Sequence, residues 1–196
     1  MWNERFDRPE YVFGTEPNAF LKSVVKNILP GQVLSIGEGE GRNAVFLAEQ
    51  GYEVTAIDLS PIGLEKAKKL ADSRDVGLQT IVADIASFDF GENLWNGIIS
   101  IFCHLPPDVR QMVHQKIKTG LKPGGVFIVE AYTHDQIPFG TGGPKDLRMM
   151  MSLEILQNDF DNFEFVHAQE IKRNIVEGIF HTGQSAVVQG VLKKPI

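Results

Sequence analysis

Residues 33–58 constrain the fold of this chain more than any other stretch. A short apolar run, Val33-Leu34-Ser35-Ile36, ends in glycines at alternate positions, Gly37, Gly39 and Gly41. A helix-like segment follows, and a second apolar run, Val54 to Ile57, closes on Asp58. The order is strand, loop, helix, strand. Glycine suits such a loop because it tolerates positive φ and lets the main chain approach a ligand closely. A carboxylate ending the second strand is placed to accept hydrogen bonds from both hydroxyls of a ribose. The unit points to a nucleoside-containing ligand.

The alternation continues downstream. Apolar periodicity predicts a helix carrying Phe20, Leu21, Val24, Val25, Ile28 and Leu29, ended by Pro30-Gly31. Strands are expected at 32–36, 54–57, 78–82, 97–102 and 126–131. A helix over 42–50 closes at Gly51, and another opens at Ser60-Pro61, serine capping and proline in the first turn. On that helix Glu65, Lys66, Lys68 and Lys69 are expected to face water. Pro106-Pro107-Asp108 starts a further helix with Val109, Met112, Val113 and Ile117. Continuous apolar strands alternating with helices predict a parallel sheet covered on both faces. Residues 132–150, rich in glycine and methionine, break the pattern as a long loop or lid. Two long strands, 163–176 and 184–192, then form a hairpin on the sheet edge.

One domain accounts for all 196 residues. Its expected parts are an N-terminal lid and helix (1–30), a ligand-binding core (31–131), a substrate loop and helix (132–160) and a β-hairpin (161–196). The net charge of −6, with no run of basic residues longer than a pair, argues against a nucleic-acid partner. Cys103 is the single cysteine, so an internal disulfide is excluded and a reducing, cytoplasmic setting is expected. The acidic first residues lack the apolar core of a signal peptide, and no apolar run approaches the ~20 residues of a membrane span.

The glycine spacing separates the possible ligands. A dinucleotide loop places its third glycine where Arg42 stands, and a phosphate-binding loop would end in Gly-Lys-Ser/Thr, which is absent. Other residues narrow the choice. Asp84 follows the third strand, where it would meet an adenine amino group; Ile101-Phe102 ends the fourth, and Leu121-Lys122-Pro123-Gly124-Gly125 precedes the fifth. Over about residues 30–135, in order and spacing, the chain resembles the class I S-adenosylmethionine-dependent methyltransferases. The resemblance implies a Rossmann-like α/β three-layer sandwich, with a seven-stranded, mostly parallel sheet and an antiparallel last strand. Its cofactor would be S-adenosyl-L-methionine. Gly37, Glu38, Gly39 and Gly41 would then lie beneath the methionine part, Asp58 would hold the ribose, and Asp84 and Ile85 would frame the adenine, with Asn43, Leu59, Ser60, Ile101 and Phe102 also binding the cofactor. Trp2-Asn3-Glu4-Arg5-Phe6, Tyr11-Val12-Phe13-Gly14 and Gly140-Thr141-Gly142-Gly143 are also similar to the small bacterial tellurite-resistance and thiopurine-type enzymes. That likeness implies that Trp2, Tyr11 and Phe13 close over cofactor and acceptor.

The chain departs from the family at Ser35, a position often acidic. Glu38, inside the loop, either supplies the missing charge or faces solvent. His104, after the fourth strand, either accepts a proton from the acceptor or caps its loop, while Cys103 is expected to be inert. Tyr132, His134 and Gln136 follow the fifth strand and are candidates to line an acceptor pocket. Arg148 would steer an anion, and Met149, Met150 and Met151 form either a lid or core packing. No metal is expected. The resemblance implies methyl transfer to a small molecule, such as a thiol, a metalloid oxyanion or a heteroaromatic, by a monomer or homodimer. A protein or lipid-like acceptor, or a non-catalytic cofactor-binding regulator or subunit, remains open as an alternative.

Overall fold

A computed structural model describes residues 2–196; Met1 lies outside the described residues. The sheet has seven strands in the order β3-β2-β1-β4-β5-β7-β6. They are β1 (Gln32–Ile36), β2 (Glu53–Asp58), β3 (Gln79–Val82), β4 (Trp95–Ile101), β5 (Leu121–Tyr132), β6 (Glu164–Val176) and β7 (Thr182–Lys193). The first five are parallel, and β7 runs antiparallel to both β5 and β6. The predicted architecture and edge hairpin are therefore present. β1 pairs with β2 on one side and β4 on the other, so the chain reverses its direction of travel across the sheet there. Ligands of open α/β sheets bind beyond the carboxyl ends of the strands at such a point.

Both faces of the central strands β1, β2, β4 and β5 are buried, which explains their unbroken apolar runs. Leu34, Ile36, Ile98, Phe127 and Val129 pack with Val113 and Ile117 of α5 (Pro107–Gly120) and Leu156 of α6 (Leu153–Asp159). Val33, Val54, Ile99 and Ile128 take the other face, against α2 (Ala19–Val24), α3 (Arg42–Glu49) and α4 (Pro61–Ser73). A five-residue helix, α1 (Trp2–Phe6), lies against α4.

Three local expectations need correction, and one pair of alternatives, at the methionines, is decided. The helix expected to reach Leu29 stops at Val24 and tightens into a 3₁₀ turn, Val25–Asn27, leaving Leu29 exposed while Val25 and Ile28 stay buried. The Lys122–Gly125 segment is a bulge inside β5 rather than a turn before it, since the register jumps from Trp95–Leu121 to Gly97–Val126. Met150 and Met151 are buried, Met151 within the α5–α6 core, so they pack rather than form a lid. Lys66 does not face water. It is only 9% exposed, because its ammonium turns under the N-terminal segment.

Candidate active site

A cleft enclosing about 990 Å³, its open mouth included, lies at the carboxyl ends of β1, β2 and β4. The β1–α3 loop forms its floor. Gly37 (φ +63) packs on Cys103 so tightly that an added Cβ would sit 2.6 Å from the sulfur. Gly41 (φ +95) has a different task, as its missing Cβ would meet the Ala67 backbone at 2.6 Å; it lets α3 and α4 approach and does not line the cleft. Glu38 turns back over the start of α3. Its Oε1 accepts the Asn43 and Ala44 N–H groups, both at 3.0 Å, and Ser35 donates its hydroxyl to Oε2. These amides are orphan donors of a helix N-terminus, so Glu38 caps the start of α3 and does not face solvent. Burial holds the Glu38 carboxyl above its ordinary range, against those hydrogen bonds.

Asp58 stands at the opposite wall. Its Oδ2 accepts the Gly39 N–H at 2.9 Å and its Oδ1 the Ser60 N–H at 2.7 Å. Each oxygen keeps a second lone pair. The carboxylate is therefore fixed in orientation yet able to take both hydroxyls of a diol. Burial raises its pKa above the ordinary aspartate range, opposed by the hydrogen bonds from Ser60 and Gly39. Ile57, Leu59, Ala83 and Ile85 line the adjoining apolar wall. The donor set and this apolar slot fit the ribose and adenine of S-adenosylmethionine.

At the end of β4 the chain is strained. Phe102 has φ 55, a left-handed conformation rare for an aromatic residue, while its N–H is held by the Glu130 carbonyl at 2.8 Å. The following residues turn back beside the cleft. His104 Nδ1 lies 3.1 Å from the Phe102 carbonyl, and Nε2 accepts the Tyr132 N–H at 3.0 Å. The carbonyl needs a donor and the amide an acceptor, so the imidazole is neutral with its proton on Nδ1. Burial pushes its pKa down to about 4. The expected proton-accepting role does not fit this geometry, because both ring nitrogens are engaged. Burial pushes the Cys103 thiol up to about 12, which leaves it a weak nucleophile.

The roof is made of distant segments. Trp2, Phe6 and Phe13 line the cleft, Trp2 stacked on Phe6 at 5.7 Å and Phe6 edge-on to Phe13 at 6.2 Å. Two buried ions hold this segment. Glu40 accepts the Val12 and Phe13 N–H groups at 2.7 and 3.3 Å, and Lys66, paired with Glu40, also donates to the Glu10 carbonyl at 2.6 Å. The β6–β7 hairpin completes the roof with His181, whose ring lies 4.6 Å from Phe13 and 4.9 Å from Phe102.

Beneath the hairpin a polar network joins four segments. Glu130 of β5 accepts from Asn18, Arg173 and Gln189, and Glu177 accepts from Asn18, Arg173 and Arg42. Asn18 also donates its N–H to the Asn43 side chain at 2.9 Å. Cofactor helix, lid and hairpin are thus tied to one buried cluster.

Trp2, Phe13, Gly37, Glu38, Gly39, Asn43, Asp58, Leu59, Ile85, Ile101, Phe102 and His104 meet at the cleft, and the other expected site residues do not. Tyr11 points away and donates its hydroxyl to the Lys66 carbonyl at 3.0 Å. Ser60 caps α4 through Gly63. Asp84 is exposed and binds its own turn at the Ala86 N–H, 2.9 Å away, although its neighbours Ala83 and Ile85 line the wall. Tyr132 is fully buried and backs Phe102 at 4.7 Å. His134 is exposed; Gln136 is buried, its side chain accepting the Ala186 N–H at 2.9 Å, and so braces the hairpin. Arg148 is exposed and forks onto Asp146. Gln136 is held away from the cleft because the chain after β5 is tied to β7, where Thr141 also donates to the Gln184 carbonyl. Phe6, Glu40, Arg42 and His181 were not expected at the cleft. Arg42 carried a readable signal, as the one basic residue between Lys26 and Lys66 in the sequence.

Residues 33–125 match the family model described as a methyltransferase domain. A 2-heptyl-1-hydroxyquinolin-4(1H)-one methyltransferase from Mycobacteroides abscessus is 30% identical over 140 residues, 70% of this chain and 62% of that protein. TehB from Haemophilus influenzae, named as a probable S-adenosyl-L-methionine-dependent methyltransferase, is 26% identical over 148 residues, 74% of this chain and 50% of TehB. The crystal structure of H. influenzae TehB superposes with a TM-score of 0.74 at 18% identity, covering 98% of this chain and 65% of that one. A tRNA 5-carboxymethoxyuridine methyltransferase of Escherichia coli is 30% identical over 105 residues, 52% of this chain and 40% of that enzyme. The chain thus spans less than two thirds of each of these curated relatives. Residues 33–125 thus carry a likeness to methyltransferase domains, and the chain as a whole shares the class I fold of the TehB structure.

Proposed function

We propose that this chain transfers the methyl group of S-adenosylmethionine to a small-molecule acceptor in the cytoplasm. The observation that carries the reading is the aromatic roof over the cleft. The nucleoside wall at Asp58 continues into a chamber walled by Phe13, Phe102, His104 and His181 and roofed by α1 and the hairpin. When bound, the cofactor supplies an electrophilic methyl on a sulfonium. The chain's own residues then have three tasks. Asp58 and the glycine loop hold the donor, the aromatic walls exclude water, and the same walls bring an acceptor atom within roughly 3–3.5 Å of the methyl carbon. Proton removal is not among these tasks. His104 has no free nitrogen, and burial and nearby charge push His181 down to about 3. Acceptors that are soft or already ionised at neutral pH suit such a site.

A screen of small thiols, metalloid oxyanions and phenols, read by S-adenosylhomocysteine release, tests the reading, with unmodified tRNA as a separate arm. Release with one of the small acceptors and none with tRNA is the expected pattern. Tight cofactor binding without release in any arm would instead support a regulator or subunit, and release with tRNA alone would overturn the small-acceptor assignment. Phe13→Ala removes aromatic packing from the roof and should weaken acceptor binding by about 1 kcal/mol. It should appear as a raised KM with cofactor affinity unchanged.

A further inference from the structure

Two buried nitrogens in the cleft wall have no partner. One is Arg42 Nη1 and the other is His181 Nδ1. The Arg42 side chain is 7% exposed, and its Nη2 is already committed to Glu177 at 2.6 Å. An unpaired guanidinium nitrogen at such depth is a costly arrangement unless a ligand completes it. Among the described residues lining the cleft, Arg42 is the one arginine or lysine. His181 sits between the rings of Phe13 and Phe102, at 4.6 and 4.9 Å. Burial and the Arg42 charge keep its imidazole neutral, so it offers a hydrogen bond and no charge. Flat aromatic surfaces, one fixed cation and one neutral hydrogen-bonding ring therefore converge on the chamber.

We propose that Arg42 and His181 form the polar end of an acceptor subsite for a flat aromatic anion, such as an ionised aryl thiol or hydroxyheteroaromatic. The ring lies against Phe13 and Phe102, and a negatively charged or carbonyl atom of the acceptor accepts from Arg42 Nη1. A planar guanidinium binds delocalised anions through directed N–H donors, which an ammonium cannot reproduce. The assignment rests on the methyl-transfer reading and narrows its acceptor class. The chemistry balances without a base. The acceptor's lone pair forms the new bond to the methyl carbon as the carbon–sulfur bond breaks onto sulfur. Negative acceptor and positive sulfonium both become neutral, and no proton moves.

The test is equilibrium binding to the S-adenosylhomocysteine-loaded protein by calorimetry. The probes are 4-nitrothiophenolate and nitrobenzene, its neutral relative. Arg42→Lys keeps a positive charge facing Glu177 but loses the second pair of donors; His181→Phe keeps a ring between Phe13 and Phe102 but loses Nδ1. The wild-type protein should prefer the thiolate by about tenfold or more, the advantage of a charge-assisted hydrogen bond over none. Arg42→Lys should erase most of that preference, and His181→Phe part of it, with S-adenosylhomocysteine affinity unchanged in both. A wild-type protein without preference for the anion overturns the subsite, and that result does not depend on any variant folding. Preference unchanged in Arg42→Lys, with S-adenosylhomocysteine binding weakened, overturns it too and assigns Arg42 to the cofactor's own carboxylate. Methyl transfer is read separately as 4-(methylthio)nitrobenzene. Selective thiolate binding without that product would uphold the subsite while counting against methyl transfer.

Discussion

Replacing Glu130 with alanine is expected to destabilise the protein by about 3–5 kcal/mol, the loss seen when one partner of a buried ion pair is removed. Glu130 is fully buried, and both its oxygens are used. Arg173 donates to them from Nε and Nη2 at 2.9 and 2.7 Å, and Asn18 and Gln189 each at 2.6 Å. The substitution leaves the partly buried Arg173 short of half its anionic partners, and the buried Asn18 and Gln189 amides each short of an acceptor. Typical domains have only about 5–15 kcal/mol of total stability, so roughly a fifth or more is at stake. In a chain of this size each lost kcal/mol lowers Tm by about 2–4 °C. Denaturant titration with a tryptophan or circular-dichroism signal measures the change directly. A loss under about 1 kcal/mol would mean that water or side-chain rearrangement compensates, and the network would not be the joint between lid, helix and hairpin.

Asp58→Ala should weaken S-adenosylmethionine binding by about 1.5–3 kcal/mol, the range for hydrogen bonds to a charged group. That is roughly a ten- to hundredfold rise in Kd by calorimetry. Fold stability should change less, since the Gly39 and Ser60 amides released lie beside the open cleft. The pH dependence has a definite sign. Binding the diol requires the ionised carboxylate, and burial holds the Asp58 pKa above its ordinary value. Affinity should therefore be full at neutral pH and decline on acidification, beginning at a higher pH than an exposed aspartate would dictate. Asp58→Asn should remove that decline. Unchanged affinity in Asp58→Ala would sink the assigned cofactor pose, whatever acceptor the enzyme takes.

Much of the donor half of this site is local in the chain and was therefore readable. The run from Val33 to Asp58 carries strand, loop, helix and strand within one unit, and the parallel pairing of β1 with β2 follows from it. The hairpin of β6 and β7 is likewise sequential. Errors arose where a residue type was interpreted by its neighbours in sequence. Lys66 sits in a charged cluster and looked solvated, yet it is buried under a segment from about sixty residues earlier. Arg148 was expected to steer an anion but is satisfied by Asp146, two positions away. His104 was a candidate base until the Tyr132 N–H, 28 residues on, took its second nitrogen.

Glycine placement, apolar period and a strand-end carboxylate set the Rossmann-like scaffold and the donor pole, because those signals act over distances shorter than one β–α–β unit. The proposed acceptor pole belongs to the tertiary structure. It brings Phe13 from the lid, Arg42 from α3, Phe102 from β4 and His181 from the hairpin to one chamber. Only burial and mutual contact decide which of their polar atoms are spent and which stay free. The Glu177 carboxylate takes one Arg42 nitrogen and leaves the other without a partner. No pattern along the chain records that choice, since partner and nitrogen are separated by 135 positions and meet only when the sheet edge folds over α3.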